Sequence, residues 1–211
     1  RAVFESVWQR LEPAEQDVFA RLSVFQGDCT REAAETICGA TLRILHSLVS
    51  RSLLIHTRQG RYHLHQLLRQ YAQMQLDEVQ QAALRTAHMN YYMQLVYDQG
   101  QQFYSASNQQ VMRTLEDELD NIRAARRWAI QTRDHDALDK AAEMMPVYDC
   151  RGMWHEALDV FTQALDIVGR DARTITAARI RQLIVLCAYR LRRQNYEAFT
   201  EETVRIFDEL H

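Results

Sequence analysis

Lysine is almost missing from this chain. Lys140 is the only one, set in Leu138-Asp139-Lys140-Ala141, so no Gly-Lys-Ser/Thr phosphate loop exists anywhere in the sequence. Nucleotide binding through that loop is excluded for these residues. The four cysteines, Cys29, Cys38, Cys150 and Cys187, have no close metal-type pairing and lie in apolar or helical contexts. They read as reduced and buried thiols of a cytoplasmic protein rather than disulfide partners or zinc ligands. No run approaches the roughly 20 apolar residues of a membrane span, and no signal peptide is visible, so no membrane partner is expected. An excess of one charge is missing too: the net charge is −3, and residues 1–76 carry nine basic against seven acidic side chains. Neither half is a polycation that would be drawn to nucleic acid or anionic lipid. Serines and histidines fall into no nucleophile pattern, so no catalytic residue is assigned and the chain is not expected to be an enzyme or to hold a cofactor of its own.

What is present is a 211-residue chain, 47% hydrophobic, long enough for a real core and for two small domains. It opens on Arg1 rather than Met and is amphipathic from the start, so it is expected to be a piece of a longer protein. Its organising stretch is Arg61 to Ala72. Tyr62 and Leu64 alternate with His63 and His65 as in a half-buried strand, and Leu67, Leu68 and Tyr71 then recur at helical spacing. The period changes at His65.

Before that corner the pattern is helical. Val3, Phe4, Val7, Trp8 and Leu11 make a first face, Pro13 opens a second helix burying Val18, Phe19, Leu22 and Phe25, and Gly27-Asp28 breaks it. Thr30 and Thr41 are expected N-caps, with Gly39 a C-terminal stop and Leu42, Leu45, Leu48 and Val49 inward. Leu53 to Thr57 reads as a strand, turned back through Arg58-Gln59-Gly60 into Tyr62-His63-Leu64. Helices followed by a two-stranded hairpin are the order of a winged helix. A long helical region then carries Leu76, Val79, Leu84, Met89, Tyr92, Leu95 and Val96. Gln99 to Gln110 is expected to be a loop, and a second long helix holds Leu115, Leu119, Ile122, Ala125 and Trp128.

Near the end a weak repeat shows. Trp154-His155-Glu156-Ala157-Leu158 and Tyr196-Glu197-Ala198-Phe199 each place an aromatic just before Glu-Ala, 42 residues apart. With Phe161 and Ala164 the first copy is similar to the second helix of a tetratricopeptide repeat, although that unit spans about 34 residues. The expected fold is therefore mostly α: a winged-helix domain with a small β-hairpin over 1–76, then an antiparallel TPR-like α-solenoid over 77–211. In that second domain 77–131 would be long connecting helices and 134–211 repeat-like pairs. Met145, Tyr148, Arg151, Arg179 and Leu183 are the candidate effector or partner groove, with Met144, Met145 and Tyr148 also fitting a core role. An exposed terminal repeat would favour self-association.

Several pieces together resemble the STAND family of signal-transduction ATPases, which includes NB-ARC proteins and the MalT-like and AfsR-like bacterial regulators. They are Glu15 to Phe19, Leu22 to Gly27, Leu48 to Leu54, Tyr62 to Ala72, and Glu116-Asp117-Glu118-Leu119-Asp120-Asn121-Ile122-Arg123-Ala124-Ala125 with Trp128. In that family the winged helix ends in Met-His-Asp, whose histidine approaches the β-phosphate of bound ADP; here Leu64-His65-Gln66 occupies the corner. The resemblance implies His65 as a nucleotide-state sensor facing an upstream nucleotide-binding domain of the same chain. It implies a parent ATPase using ADP and ATP, and a solenoid that senses an effector and controls a transcriptional output. The alternative reading of His65 is a capping or packing residue.

His56, His63 and His65 lack the thiol or carboxylate that would make a metal site. Glu116-Asp117-Glu118 reads as a solvated or N-terminal helix face. DNA reading by the segment Thr41 to Arg51 with Arg58 and Arg61 is the runner-up function, but Arg43, His46 and Arg51 are a thin supply for a duplex, and direct DNA binding is not expected. A protein-interaction scaffold without any nucleotide link is the third reading.

Overall fold

The computed structural model describes residues 2–103, 108–170, 172 and 174–192. These residues are mostly α-helical, with one small antiparallel sheet, and follow the order of a winged helix and then helical repeats. They gather into two compact units: Arg1–Tyr92 with Glu118–Ala125, and Met93–Asp117 with Arg126–His211. The units differ from the spans 1–76 and 77–211, because 77–92 and 118–125 join the first.

In the first unit, α1 (Ala2–Trp8) sets the Trp8 ring against Phe19 and edge-on to Tyr71, both at 6.1 Å between centroids. α2 (Pro13–Arg21) starts on Pro13, and the Glu15 carboxylate accepts the Glu12 N–H at 3.0 Å. It ends sooner than its apolar spacing suggests, because Leu22–Val24 tightens into a 3₁₀ turn while Leu22 and Phe25 stay buried. α3 (Arg31–Cys38) is capped by Thr30, whose Oγ1 accepts from the Ala33 N–H at 3.1 Å, and is closed by Gly39 at φ 68. α4 (Leu42–Ser50) is capped by Thr41 and buries Leu45 and Leu48 completely. Leu42 was expected inside but is exposed in the first turn, and Val49 is only half-buried.

The hairpin is shorter than expected. β1 (Ile55–His56) pairs with β2 (Tyr62–His63), with Ile55 opposite His63 and His56 opposite Tyr62. Leu53 and Leu54 do not extend β1, because both their N–H groups close α4 on the Leu48 carbonyl. A third edge is added by Cys29, which exchanges both backbone bonds with Tyr62 at 2.9 and 2.8 Å. α5 (Gln66–Gln73) buries Tyr71 and Ala72 and leaves Leu67 exposed.

Both ends of the expected loop at 99–110 are helical, with α6 (Glu78–Phe103) reaching into it and α7 (Asn108–Asp117) beginning inside it, while 104–107 lie outside the described residues. Gly100 lies inside α6 for closeness rather than for a turn, since a Cβ there would sit 2.5 Å from the Glu143 Cβ. Val79, expected inward, is 78% exposed. The expected second long helix is two, α7 and α8 (Leu119–Thr132), parted at Glu118.

In the second unit, Asp134 caps α9 (His135–Ala141), and a 3₁₀ turn leads to α10 (Met145–Arg151), which ends at Gly152 in the left-handed region, φ 65. α11 (Trp154–Val168) packs along α12 (Ile175–Arg190), with Ala157, Ala164, Ala177 and Ala178 buried. Phe161 fills the space against α10, edge-on to Tyr148 at 6.1 Å. The second copy of the repeat, 196–199, lies outside the described residues. Cys150, expected buried, is exposed at the end of α10, whereas Cys29, Cys38 and Cys187 are buried and free.

Candidate functional site

His65 is the N-cap of α5, where an extended strand turns into a helix. Its Nδ1 accepts the Leu67 N–H at 3.3 Å, and the ring is exposed. A neutral imidazole with Nδ1 accepting carries its proton on Nε2, so the group offered outward is a ring N–H at the positive end of a helix. The neighbouring histidines are placed differently. His63 Nδ1 lies 2.7 Å from Asp28 Oδ1, and His56 lies against the Tyr62 ring at 4.9 Å. Among the described residues no three His, Cys, Asp or Glu side chains gather as a metal set.

Behind this corner lies a buried polar network that the sequence reading missed. The segment Phe25–Cys29 has no regular pairing beyond Cys29 with Tyr62, so its remaining polar groups must find side chains. Arg69 Nη1 donates to the Phe25 carbonyl at 3.2 Å, and the Gln26 N–H donates to Asn121 Oδ1 at 3.0 Å. The Asp28 carbonyl accepts from Asn121 Nδ2 at 2.9 Å and from Arg61 Nη2 at 3.0 Å. Arg61 also pairs with Glu118 at 2.7 Å, with both side chains largely out of solvent. Glu118 further accepts from the Tyr92 hydroxyl at 3.1 Å and from Asn121 Nδ2 at 3.2 Å.

Glu118, only 4% exposed, is not on a solvated face; of the two readings of Glu116-Asp117-Glu118 the N-terminal one fits it, since it directly precedes α8 and its carbonyl accepts the Ile122 N–H at 2.9 Å. Burial pushes its carboxyl above the usual range, while Arg61, Asn121 and Tyr92 pull the other way. The Tyr92 hydroxyl is pushed up, first by burial and then by the Glu118 charge. His88 meets Phe25 edge-on at 5.6 Å and lies tilted against Tyr92 at 4.6 Å, and burial pushes it down to about 4. The signal in the sequence was Asn121, a polar residue on the same side of α8 as the apolar Ile122 and Ala125.

Within the second unit, a groove of about 730 Å³ is lined by Met145, Arg179 and Leu183 of the expected set, with Gly100, Glu143, Leu186 and Tyr189. Tyr148 is not in it: its ring is buried on Phe161 and its hydroxyl accepts from Arg126 at 2.6 Å. Arg151 is exposed and bound to Glu116 at 2.6 Å. Arg179 is itself engaged, by Glu143 and by Asp139 at 3.7 Å. On the winged helix, Arg43, His46 and Arg58 are exposed, but Arg51 reaches Glu15 at 3.8 Å and Arg61 is committed to Glu118.

Residues 11–77 match a family model described as a winged helix-turn-helix domain. Proteins named as HTH-type transcriptional regulators in Mycobacterium bovis and in Mycobacterium tuberculosis are each 29% identical over 168 residues, covering 74% of this chain and 19% of their own length. The chain thus spans about a fifth of the relatives it matches. A crystal structure of a STAND protein with a tetratricopeptide repeat sensor from Pyrococcus horikoshii is similar at a TM-score of 0.48 and 17% identity, over 98% of this chain and 34% of that one. The corner that carries His65 thus lies within the stretch that matches a winged helix-turn-helix domain, in a chain similar over 74% of its length to proteins named as HTH-type transcriptional regulators.

Proposed function

We propose that this chain is the regulatory region of a STAND-type ATPase. Its winged helix would hold an upstream nucleotide-binding domain in an ADP-bound off state through His65, while the helical repeats take an effector or partner and shift that equilibrium toward transcriptional output. The observation that carries the reading is the outward ring N–H of His65 at the start of α5, since a phosphate oxygen is its natural acceptor. Gln66 stands where the family has Asp, and no carboxylate is available there to orient a neighbour. ATP or ADP belongs to the parent protein in this reading. The groove lined by Met145, Arg179 and Leu183 is the place for an effector.

The test is ADP retention by the parent protein purified with its upstream region, wild type against His65→Ala. Extracted nucleotide should fall several-fold in the variant, and unchanged retention would remove the role. The relatives' name as HTH-type regulators keeps direct DNA reading in view. Engagement of Arg51 and Arg61 by Glu15 and Glu118 leaves Arg43 and Arg58 as the wing-side cations, which supports the lower rank of that reading.

A further inference from the structure

We infer that Glu118 and Asn121 are positioning residues for His65: they fix the strand that leads into its corner, from a segment more than fifty residues away in sequence. The inference rests on the nucleotide reading only for its consequence. Its structural content stands on the network alone. His65 lies just past β2, with Leu64 between them, and β2 is held on one side by only two residues of β1 and on the other by Cys29. A sheet this short is marginal by itself. What anchors it is indirect. Asn121 grips the Gln26 N–H and the Asp28 carbonyl, and so fixes the segment on which Tyr62 pairs. Glu118 grips Arg61, the residue before Tyr62, and Arg61 binds the same Asp28 carbonyl.

Both side chains are buried, Glu118 at 4% and Asn121 at 1% exposure, so water does not replace them easily. Their polar atoms are met by partners in the winged-helix unit, and with the segment displaced Gln26 and Asp28 would each lose a partner in a low-dielectric interior. Opening this contact is a discrete event rather than a gradual loosening. It would part Arg61 from Glu118 and let β2 shift together with the corner that follows it.

The experiment is residue-resolved amide hydrogen exchange on the 211-residue chain, comparing wild type with Asn121→Ala and, from the wing side, Arg61→Gln as the milder variant. The expected result is exchange faster by about tenfold or more at Gln26, Cys29 and Tyr62, and at Leu67, the amide that His65 caps, with Leu45 and Leu48 of α4 within about twofold of wild type. Unchanged exchange at Tyr62 and Cys29 would overturn the inference. Equal acceleration at Leu45 and Leu48 would do the same, because it would make Asn121 a contributor to general stability. Loosening at Tyr62 with Leu67 unaffected would show the strand held but His65 placed by other means, and that also overturns it. Failure of the nucleotide reading is seen separately, as wild-type ADP retention by His65→Ala in the parent. If both stand, Asn121→Ala should reproduce the ADP loss of His65→Ala.

Discussion

His88 shows how one side chain sets a response to acid. It is 2% exposed, and its Nε2 reaches only the Asn121 amide oxygen at 3.4 Å. Burial lowers its folded value to about 4 from an ordinary 6.5. The unfolded chain therefore takes up the proton first, and stability present above pH 6.5 is lost as the pH falls toward 4, by roughly 3 kcal/mol at the limit. Glu118 faces the same cluster and works in the opposite sense, since a carboxyl raised by burial opposes folding most when ionised at higher pH. Urea midpoints measured from pH 7 to pH 4 should fall less steeply for His88→Gln than for wild type. An equal slope would place the acid sensitivity elsewhere. Cys29 is a contrasting case: its thiol is pushed up to about 12 by burial, so it should resist alkylation at pH 8 in the folded chain while exposed Cys150 reacts.

At the scale of elements, the parts with local signals formed as read and the parts decided by distant neighbours did not. Thr30, Gly39 and Thr41 are helix punctuation that depends on a few adjacent residues, and α3 and α4 begin and end there. Thr30→Ala should cost about 1 kcal/mol, read as a lower urea midpoint with an unchanged slope. Gly100 carried the opposite lesson. Beside Gln101 and Gln102 it looks like a breaker, yet the packing of Glu143 against α6 keeps the helix whole. Gly100→Ala should therefore destabilise the second unit by about 1–3 kcal/mol through overpacking, despite a better helix propensity. A neutral or stabilising result would refute the close approach. The corner at His65 was legible because the period changes beside it, and the structure places the residue there as the cap of α5. Glu118 was not, because a run of acids has no local sign that one member will meet Arg61 from 57 positions away. Of the candidate groove residues Met145, Arg179 and Leu183 meet, while Tyr148 takes the core role that its sequence also fitted, packing on Phe161, and Arg151 is held by Glu116.

For the molecule as a whole, charge decides the ranking of functions. A net charge of −3 and the engagement of Arg51 and Arg61 leave few cations for a phosphate backbone. The chain should show no salt-dependent binding to duplex DNA at micromolar concentration, and anisotropy titrations that found it, lost on replacing Arg43 and Arg58, would restore the DNA reading. The division into units has one more consequence, for the order of events in synthesis. The first unit is completed by Glu118–Ala125, far beyond the end of the matched domain at residue 77. At about 5–20 residues per second the ribosome needs roughly 2–10 s to cover that distance. During that interval Glu118 and Asn121 have not been made, so the nascent winged helix must stand without the contacts they give Arg61 and Gln26, and the wing reaches its final anchorage only after the next forty or so residues are synthesised.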